Sequence, residues 1–440
     1  RWSDGTPVTA GDFEYAWKRV LDPVIGSPMA SLLYDIKGAR AFHRGEAGRE
    51  DVGVWAIDEH TLMVELEGPS GYFLQLLANL ICYPLPRHVV EAHGEATSAS
   101  PSSRSGRGSA EPWAEVGKMV TNGPFQLEAW QRGESMVLAR NPRYHGRFRG
   151  NIQRVELSLR CEDWSAILDM YEADGLDVVH LLLPVVDPAR QRHPGEYMSR
   201  PLLFTRYVGF YTSQPPFDDV RVRRAFALAT DRETGLEVIL RGYEGPATGG
   251  LVPPGMPGHF PGIGLAYDPE EAQQVLAEAG YPKGHGFPLM DLLLPQGWEA
   301  LAEYLAAQWR ENLGVEIRWE TMEWAAFLNT LERDPPPMFV ARWSADYPDP
   351  DNFLRASSVR PHTRWRNEAY DKLVEEARRL MDQGERMTLY RQADRLLMEE
   401  AAIVPLCYGR VRIFVKPWVK NLPIGPPGDW FWKDVIIEPH

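Results

Sequence analysis

Cysteine is scarce in this chain. Cys82, Cys161 and Cys407 stand far apart among 440 residues, with no CxxC pair, so neither a zinc knuckle nor a disulfide framework is readable. Three buried thiols is the expected state, with one disulfide plus one free thiol as the alternative. Long apolar runs are missing too. The longest, Tyr72 to Tyr83, is broken by Gln75 and Asn79 and stopped by Pro84 and Pro86, well short of the ~20 residues a membrane helix needs. Positive charge is in deficit. The formal net charge of −14 repels phosphate backbones and anionic bilayers, and no Lys/Arg cluster overrides that field, so nucleic acid is not expected as a partner.

Catalytic signatures are absent as well: there is no nucleophile elbow, phosphate loop or metalloprotease helix. Gly262-Ile-Gly264 lacks the third glycine of a dinucleotide fingerprint and follows no strand. His88 and His93 fall one position off the i, i+4 face that a metal pair prefers. The expectation is a protein that is not an enzyme and needs no cofactor or metal. The chain opens on Arg1-Trp-Ser-Asp-Gly5 without an initiator Met, so its true N-terminus, with any secretory signal, is expected upstream.

What is present is an ordinary globular composition, 44% hydrophobic, 25% charged and 11% aromatic, over a length that calls for two or three lobes with separate cores. Phe13, Ala16, Trp17 and Val20 recur at helical spacing behind Thr9 as a cap. Residues 53–66 alternate like a strand. Ser98 to Pro112 holds no large apolar residue and reads as a mobile surface loop. Residues 123–130 and 135–140 read as paired strands closed by Asn141-Pro142. Beyond them, strand and helix alternate. Asp268-Pro269 with Glu271 opens a helix that Gly280 ends, and another helix from about Trp298 to Gly314 leads into the alternating stretch Val315 to Glu320, a unit typical of α/β layers. Two helices, from Asn367 to Arg379 and on to about Glu400, precede a strand at Ile403 to Leu406.

The stretch Trp343-Ser-Ala-Asp-Tyr-Pro-Asp-Pro-Asp351 carries the densest chemistry. Asp346, Asp349 and Asp351 offer oxygens of the kind calcium takes, but Pro348 and Pro350 interrupt the loop and no glycine or terminal glutamate stands at EF-hand spacing. On composition alone, a cation site, a catalytic carboxylate pair and a plain turn all stay open.

These residues belong to a longer pattern that resembles the oligopeptide and dipeptide solute-binding family of ABC importers. Its parts are Trp2-Ser-Asp-Gly-Thr-Pro-Val-Thr-Ala-Gly-Asp-Phe13, Asp58-Glu-His-Thr-Leu62 with Pro69, Thr121-Asn-Gly-Pro-Phe-Gln-Leu127, Arg140-Asn-Pro-Arg-Tyr144, Pro216 to Phe226, Asp231-Arg232, Ala277 to Tyr281, Trp343 to Leu354 and Tyr370 to Val374. The resemblance implies an α/β, periplasmic-binding-protein-like fold of type II, three-lobed, whose hinged lobes enclose a ligand cleft. It divides the chain into residues 1–122 as a family-specific inserted lobe with its start missing, 123–204 and 410–440 as a first lobe lacking its opening strands, and 205–409 as the second main lobe, which carries the 343–354 loop. Open sheet edges in the first lobe are expected from that loss.

By the same resemblance, Asp346 matches the amine-binding aspartate, and the ligand-binding set comprises Asp346, Trp343, Ser344, Ala345, Tyr347 and Tyr34. The implied partners are a peptide and the permease subunits of the importer, for a monomer in the periplasm or at the outer face of the membrane, lipid-anchored or secreted. A carrier of many peptides has to grip what all peptides share, the main chain and the charged terminus, and a carboxylate in a closed cleft suits an α-ammonium. Two positions depart from the pattern: Leu32 stands where relatives present a tyrosine, and Val340 where some have a basic residue. The alternatives are a sensing domain of a regulator, a hydrolase, or a binder of a nickel complex, haem, opine or oligosaccharide.

Overall fold

The computed structural model describes residues 1–93, 112–160, 163–182, 185–425 and 430–440. The expected surface loop falls outside them up to residue 111, as does Cys161. The described chain forms two compact units, Arg1–Ser199 with Arg412–His440, and Arg200–Val411.

In the first unit, the helix Ala10–Val20 starts where Thr9 was expected to cap it, with the Asp12 carboxylate accepting the Thr9 N–H at 2.9 Å. The expected strand over 53–66 is a hairpin instead, β1 (Val54–Ala56) antiparallel to β2 (Leu62–Val64). Its break is chemical: Asp58 accepts from the His60 N–H at 2.7 Å and the Thr61 hydroxyl at 2.9 Å, a side-chain turn that competes with extended backbone. The predicted pair is present as β3 (Phe125–Gln131) and β4 (Ser135–Arg140), joined by β5 (Arg154–Ser158) in a three-stranded antiparallel sheet. Asn141 closes it by donating to the Gly123 carbonyl at 2.8 Å. After β6 (Val178–His180), the long strand β7 (Tyr197–Phe210) carries the chain into the second unit.

The second unit is built on one sheet. Its strands are β7, the short β8 (Gly245–Pro246), β9 (Met290–Pro295), β10 (Ile317–Met322), β11 (Met338–Ser344) and β12 (Ile403–Val415), in the order β10-β9-β11-β7-β12 with β8 on β12. β9, β10 and β11 run parallel (Ile317↔Met290, Met338↔Leu292), and β7 runs antiparallel to β11 (Arg342↔Arg206). Period-two alternation sends successive residues to opposite faces. Val208, Phe210, Leu292, Leu294, Met338 and Val340 enter one core, beneath the helices Val220–Leu228 and Glu299–Leu313. Tyr207, Leu293, Phe339 and Ala341 enter the other, beneath Glu368–Arg379 and Gln383–Glu399. Burying each such side chain contributes about 1.5–3 kcal/mol, so the two-faced packing fixes the register.

The helix signals hold at both ends. Asp268 accepts from the Glu271 N–H at 2.9 Å ahead of Pro269–Glu278, and Gly314, at φ +72°, ends Glu299–Leu313. β12 outruns the expected strand by nine residues, from Leu406 to Val415. In the first unit its end, Ile413–Val415, pairs with β6, and β13 (Val419–Lys420) pairs with β14 (Ile436–Ile437).

Candidate ligand-binding site

Because β9, β10 and β11 are parallel, the segments that follow them leave the sheet at one edge. In open α/β sheets, ligands collect outside the carboxyl ends of the strands. The segment after β11 is the loop singled out by sequence, and it does not continue as a proline-broken turn. Asp349 caps a short helix, Pro350–Leu354, by accepting the Asp351 N–H at 3.0 Å, and Pro350 occupies the first helical position.

That turn of helix folds Asn352 back onto the strand end. Asn352 is fully buried and holds three groups at once: its Oδ1 accepts from the Trp343 indole N–H at 2.8 Å and the Asp346 backbone N–H at 3.1 Å, and its Nδ2 donates to Asp346 Oδ2 at 2.9 Å. Asp346 is half-buried, and burial pushes its carboxyl above the ordinary value against the smaller lowering effect of the Asn352 amide.

The two neighbouring aspartates are differently placed. Asp349 meets Arg386 in a buried bidentate pair, 3.0 Å at both oxygens. Asp351 accepts from the Tyr347 hydroxyl at 2.7 Å, the Tyr390 hydroxyl at 2.9 Å, and Arg355 at 2.8 and 2.6 Å. Both carboxylates are turned to structural cations, which removes the calcium-loop reading. Among the described residues no group of three His, Cys, Asp or Glu is arranged to hold a metal. His88 pairs with Asp4 at 2.7 Å.

The remaining predicted residues are spread more widely. Trp343 is half-buried against the core. Ser344 is exposed at the end of β11, opposite Phe204. Ala345 and Tyr347 are buried, at 8% and 2% exposure, with the Ala345 N–H donating to Leu203 at 2.8 Å, so their side chains face protein. Tyr34 belongs to the first unit, beside His43 and under Arg40. Leu32 is half-buried, and Val340 is fully buried in the core. Cys82 and Cys407 are free, buried thiols. Asn352 was not anticipated. The available signal was Asp349-Pro350, the same cap-and-proline pair that was legible at Asp268-Pro269.

Beyond its last contact with β9, at Phe339↔Leu293, β11 continues to Ser344 with β7 on one side only, among the described residues. This leaves an open edge of backbone N–H and C=O groups leading to Asp346. A concavity of about 1190 Å³ lies elsewhere, in the first unit, lined by β5, β6, Trp430 and Trp432, and contains none of the predicted residues.

The two α/β units, joined through β7 and β12, and a carboxylate fixed at the end of an open strand edge define a class of protein that captures solutes. A family model described as bacterial extracellular solute-binding proteins, family 5, middle region, matches residues 1–362, and the chain belongs to that family. It is 32% identical over 457 residues to the periplasmic oligopeptide-binding protein OppA of Escherichia coli strain K12, covering all of this chain and 80% of the relative. It is 31% identical over 458 residues to the probable deoxycholate-binding periplasmic protein YgiS of the same strain, covering all of this chain and 81% of the relative. The solved structure of the E. coli murein tripeptide binding protein MppA matches with a TM-score of 0.81 at 28% identity, over all of this chain and 86% of that one. The fold is the α/β type II periplasmic-binding-protein fold that the sequence led us to expect.

Proposed function

We propose that the protein captures peptides with a free amino terminus and delivers them to the permease of an ABC importer, with Asp346 as the amine anchor. The observation that carries this reading is the state of Asp346: desolvated, and oriented by the neutral amide of Asn352 at the head of an open strand edge. An ammonium in that position offsets the cost of burying the carboxylate. The edge of β11 up to Ser344 supplies main-chain hydrogen bonds to an extended peptide, whatever its side chains, and Trp343 offers an aromatic wall. The peptide-binding names of two of the three relatives support the same ligand class.

The proposal extends to Tyr34 as a contact from the first unit, to division of that unit into an inserted lobe and a first lobe at about residue 122, and to a monomer acting without catalysis in the periplasm or anchored at the outer face of the membrane. The test is calorimetry with matched peptides, free and N-acetylated. Asp346→Asn should weaken the free peptides and leave the acetylated ones, already weak, unchanged; equal losses for both would refute the anchor. Mass spectrometry of ligand co-purified with the intact protein addresses the class directly. A second reading, capture of an anionic amphiphile, rests on the name of the 31% relative, but a desolvated carboxylate repels such a ligand.

A further inference from the structure

The deficit of positive charge is reversed at one place in the first unit. From Ser135 to Val155 there are five arginines, one histidine and no Asp or Glu, in a chain of net charge −14. The run is too short to cancel the field of the whole molecule. With a screening length of ~8 Å in physiological salt, however, a surface in contact with it meets the local sign.

Most of these residues lie on the loop between β4 and β5, and that loop is pinned along its length. Asn141 accepts the Arg143 N–H at 3.0 Å, Asp434 accepts the Arg149 N–H at 3.1 Å, and Asn151 exchanges hydrogen bonds with Ile437 at 2.8 Å in both directions. Phe148 meets Phe125 and Tyr144 edge-on, and the Arg140 guanidinium lies 3.9 Å from the Phe148 ring centre. The charges on this loop are unevenly answered. Arg154 pairs with Glu128 at 3.2 Å, and Asp434 is taken by Lys433 at 2.7 Å. Arg143, Arg147 and Arg149 are exposed and form no ion pair with any described residue. Arg143 does donate to the Ser3 carbonyl, at 3.3 Å.

One exposed ion pair is worth little, but three guanidinium forks on one fixed backbone can be answered together by a single partner. Such forks match carboxylates two-pronged. An anionic bilayer is the other surface of the right sign, and peripheral segments hold to it through apolar side chains as well as charge. None of the large apolar side chains from Ser135 to Val155 is exposed, and Tyr144 and Phe148 are half-buried in the ring cluster. The chemistry therefore favours carboxylates on a protein.

We propose that the loop bearing Arg143, Arg147 and Arg149 is a docking surface for a protein partner that presents clustered carboxylates. On the import reading above, the permease is the protein that such a surface meets. The surface itself does not depend on Asp346 holding an amine, so the two readings fail separately.

The experiment is fluorescence anisotropy of the intact protein with labelled hexaglutamate, beside sedimentation with vesicles of phosphatidylglycerol. The wild type should bind hexaglutamate and lose most of that affinity between roughly 20 and 300 mM salt. The triple variant Arg143→Gln, Arg147→Gln, Arg149→Gln should bind it roughly tenfold more weakly or worse. A matched control, Arg364→Gln, Arg366→Gln, Arg395→Gln, removes the same charge from exposed positions of the second unit and should bind like the wild type. If the triple variant melts low, Arg147→Gln with Arg149→Gln carries the test, because neither side chain makes a hydrogen bond to a described residue. A loss confined to the loop variants upholds the surface. No binding by the wild type, or equal losses in the loop variant and the control, would overturn it. Tighter binding to the vesicles, dependent on the same three arginines, would replace the protein partner with a bilayer.

Discussion

Asp346 differs from Asp349 and Asp351 in what surrounds it, and it is the most exposed of the three. All three are at least half-buried, but Asp349 and Asp351 face arginines while Asp346 is held by an amide. A carboxylate already matched to a guanidinium has nothing left to offer a ligand. On the amine-anchor proposal, a carboxylate aimed by a neutral amide at the strand end meets an ammonium there, which offsets the cost of its burial. On that proposal, structural and binding carboxylates stand three residues apart in one loop.

The comparison is broken most severely by removing Arg386. It is fully buried and Asp349 nearly so, so Arg386→Ala leaves an uncompensated charge under the helix Pro350–Leu354. We expect a loss of about 3–5 kcal/mol in urea unfolding. Arg386→Met with Asp349→Asn should recover a good part, because the penalty lies in the stranded charge rather than in the absence of the pair. A double variant no better than the single would show that shape, not charge, is what the pair provides.

Asn352→Leu comes next. It unhooks both Trp343 and Asp346 and leaves a buried indole N–H without its acceptor, at a cost of about 1–3 kcal/mol. It should also weaken peptides with free amines by relaxing the carboxylate it aims. Unchanged affinity at reduced stability would make Asn352 a packing residue only.

Asp346→Asn should scarcely alter stability, within about 0.5 kcal/mol, while affinity for free-amine peptides falls roughly ten- to a hundredfold. Since burial raises the Asp346 carboxyl, protons compete with the ligand at a higher pH than for an ordinary aspartate. Wild-type affinity should therefore decline as pH falls through that raised value, and the variant should lack this decline.

Legibility in the sequence followed how local the cause was. Caps and stops are local, so the helices behind Thr9, Asp268 and Asn367 were readable. The hairpin β1–β2 was missed because alternation continues through the Asp58 turn, and β12 was cut short because nothing in Leu406 to Val415 announces that the strand carries on into the other unit. The candidate site was singled out only through motif resemblance. Composition left three aspartates equivalent, and what separates them, Arg386 thirty-seven residues from Asp349 and Asn352 folded back by a helical turn, is tertiary. Pro350, read as a disruption of a loop, was the start of the helix that aims Asp346.

A fourth aspartate sharpens the contrast from the other side. Asp394 is buried at 1% exposure, and its donors among the described residues include neither an arginine nor a side-chain amide. It accepts the backbone N–H groups of Leu251 and Val252 at 2.8 and 3.3 Å, beneath Gly250, where a Cβ would lie 2.1 Å from the carboxylate. Burial pushes it up to about 7, against 3.8 for an ordinary aspartate. Between those values the folded state keeps a proton that the unfolded state has released, so this group's contribution to stability is greatest below pH 4, falls as pH rises towards 7, and is flat above. Asp394→Asn should remove that slope, seen as the difference between wild-type and variant unfolding free energies from pH 4.5 to 7.5. A difference that stays flat from pH 4.5 to 7.5 would mean that the two backbone donors hold Asp394 ionised, and that a buried carboxylate here needs neither arginine nor ligand to keep its charge.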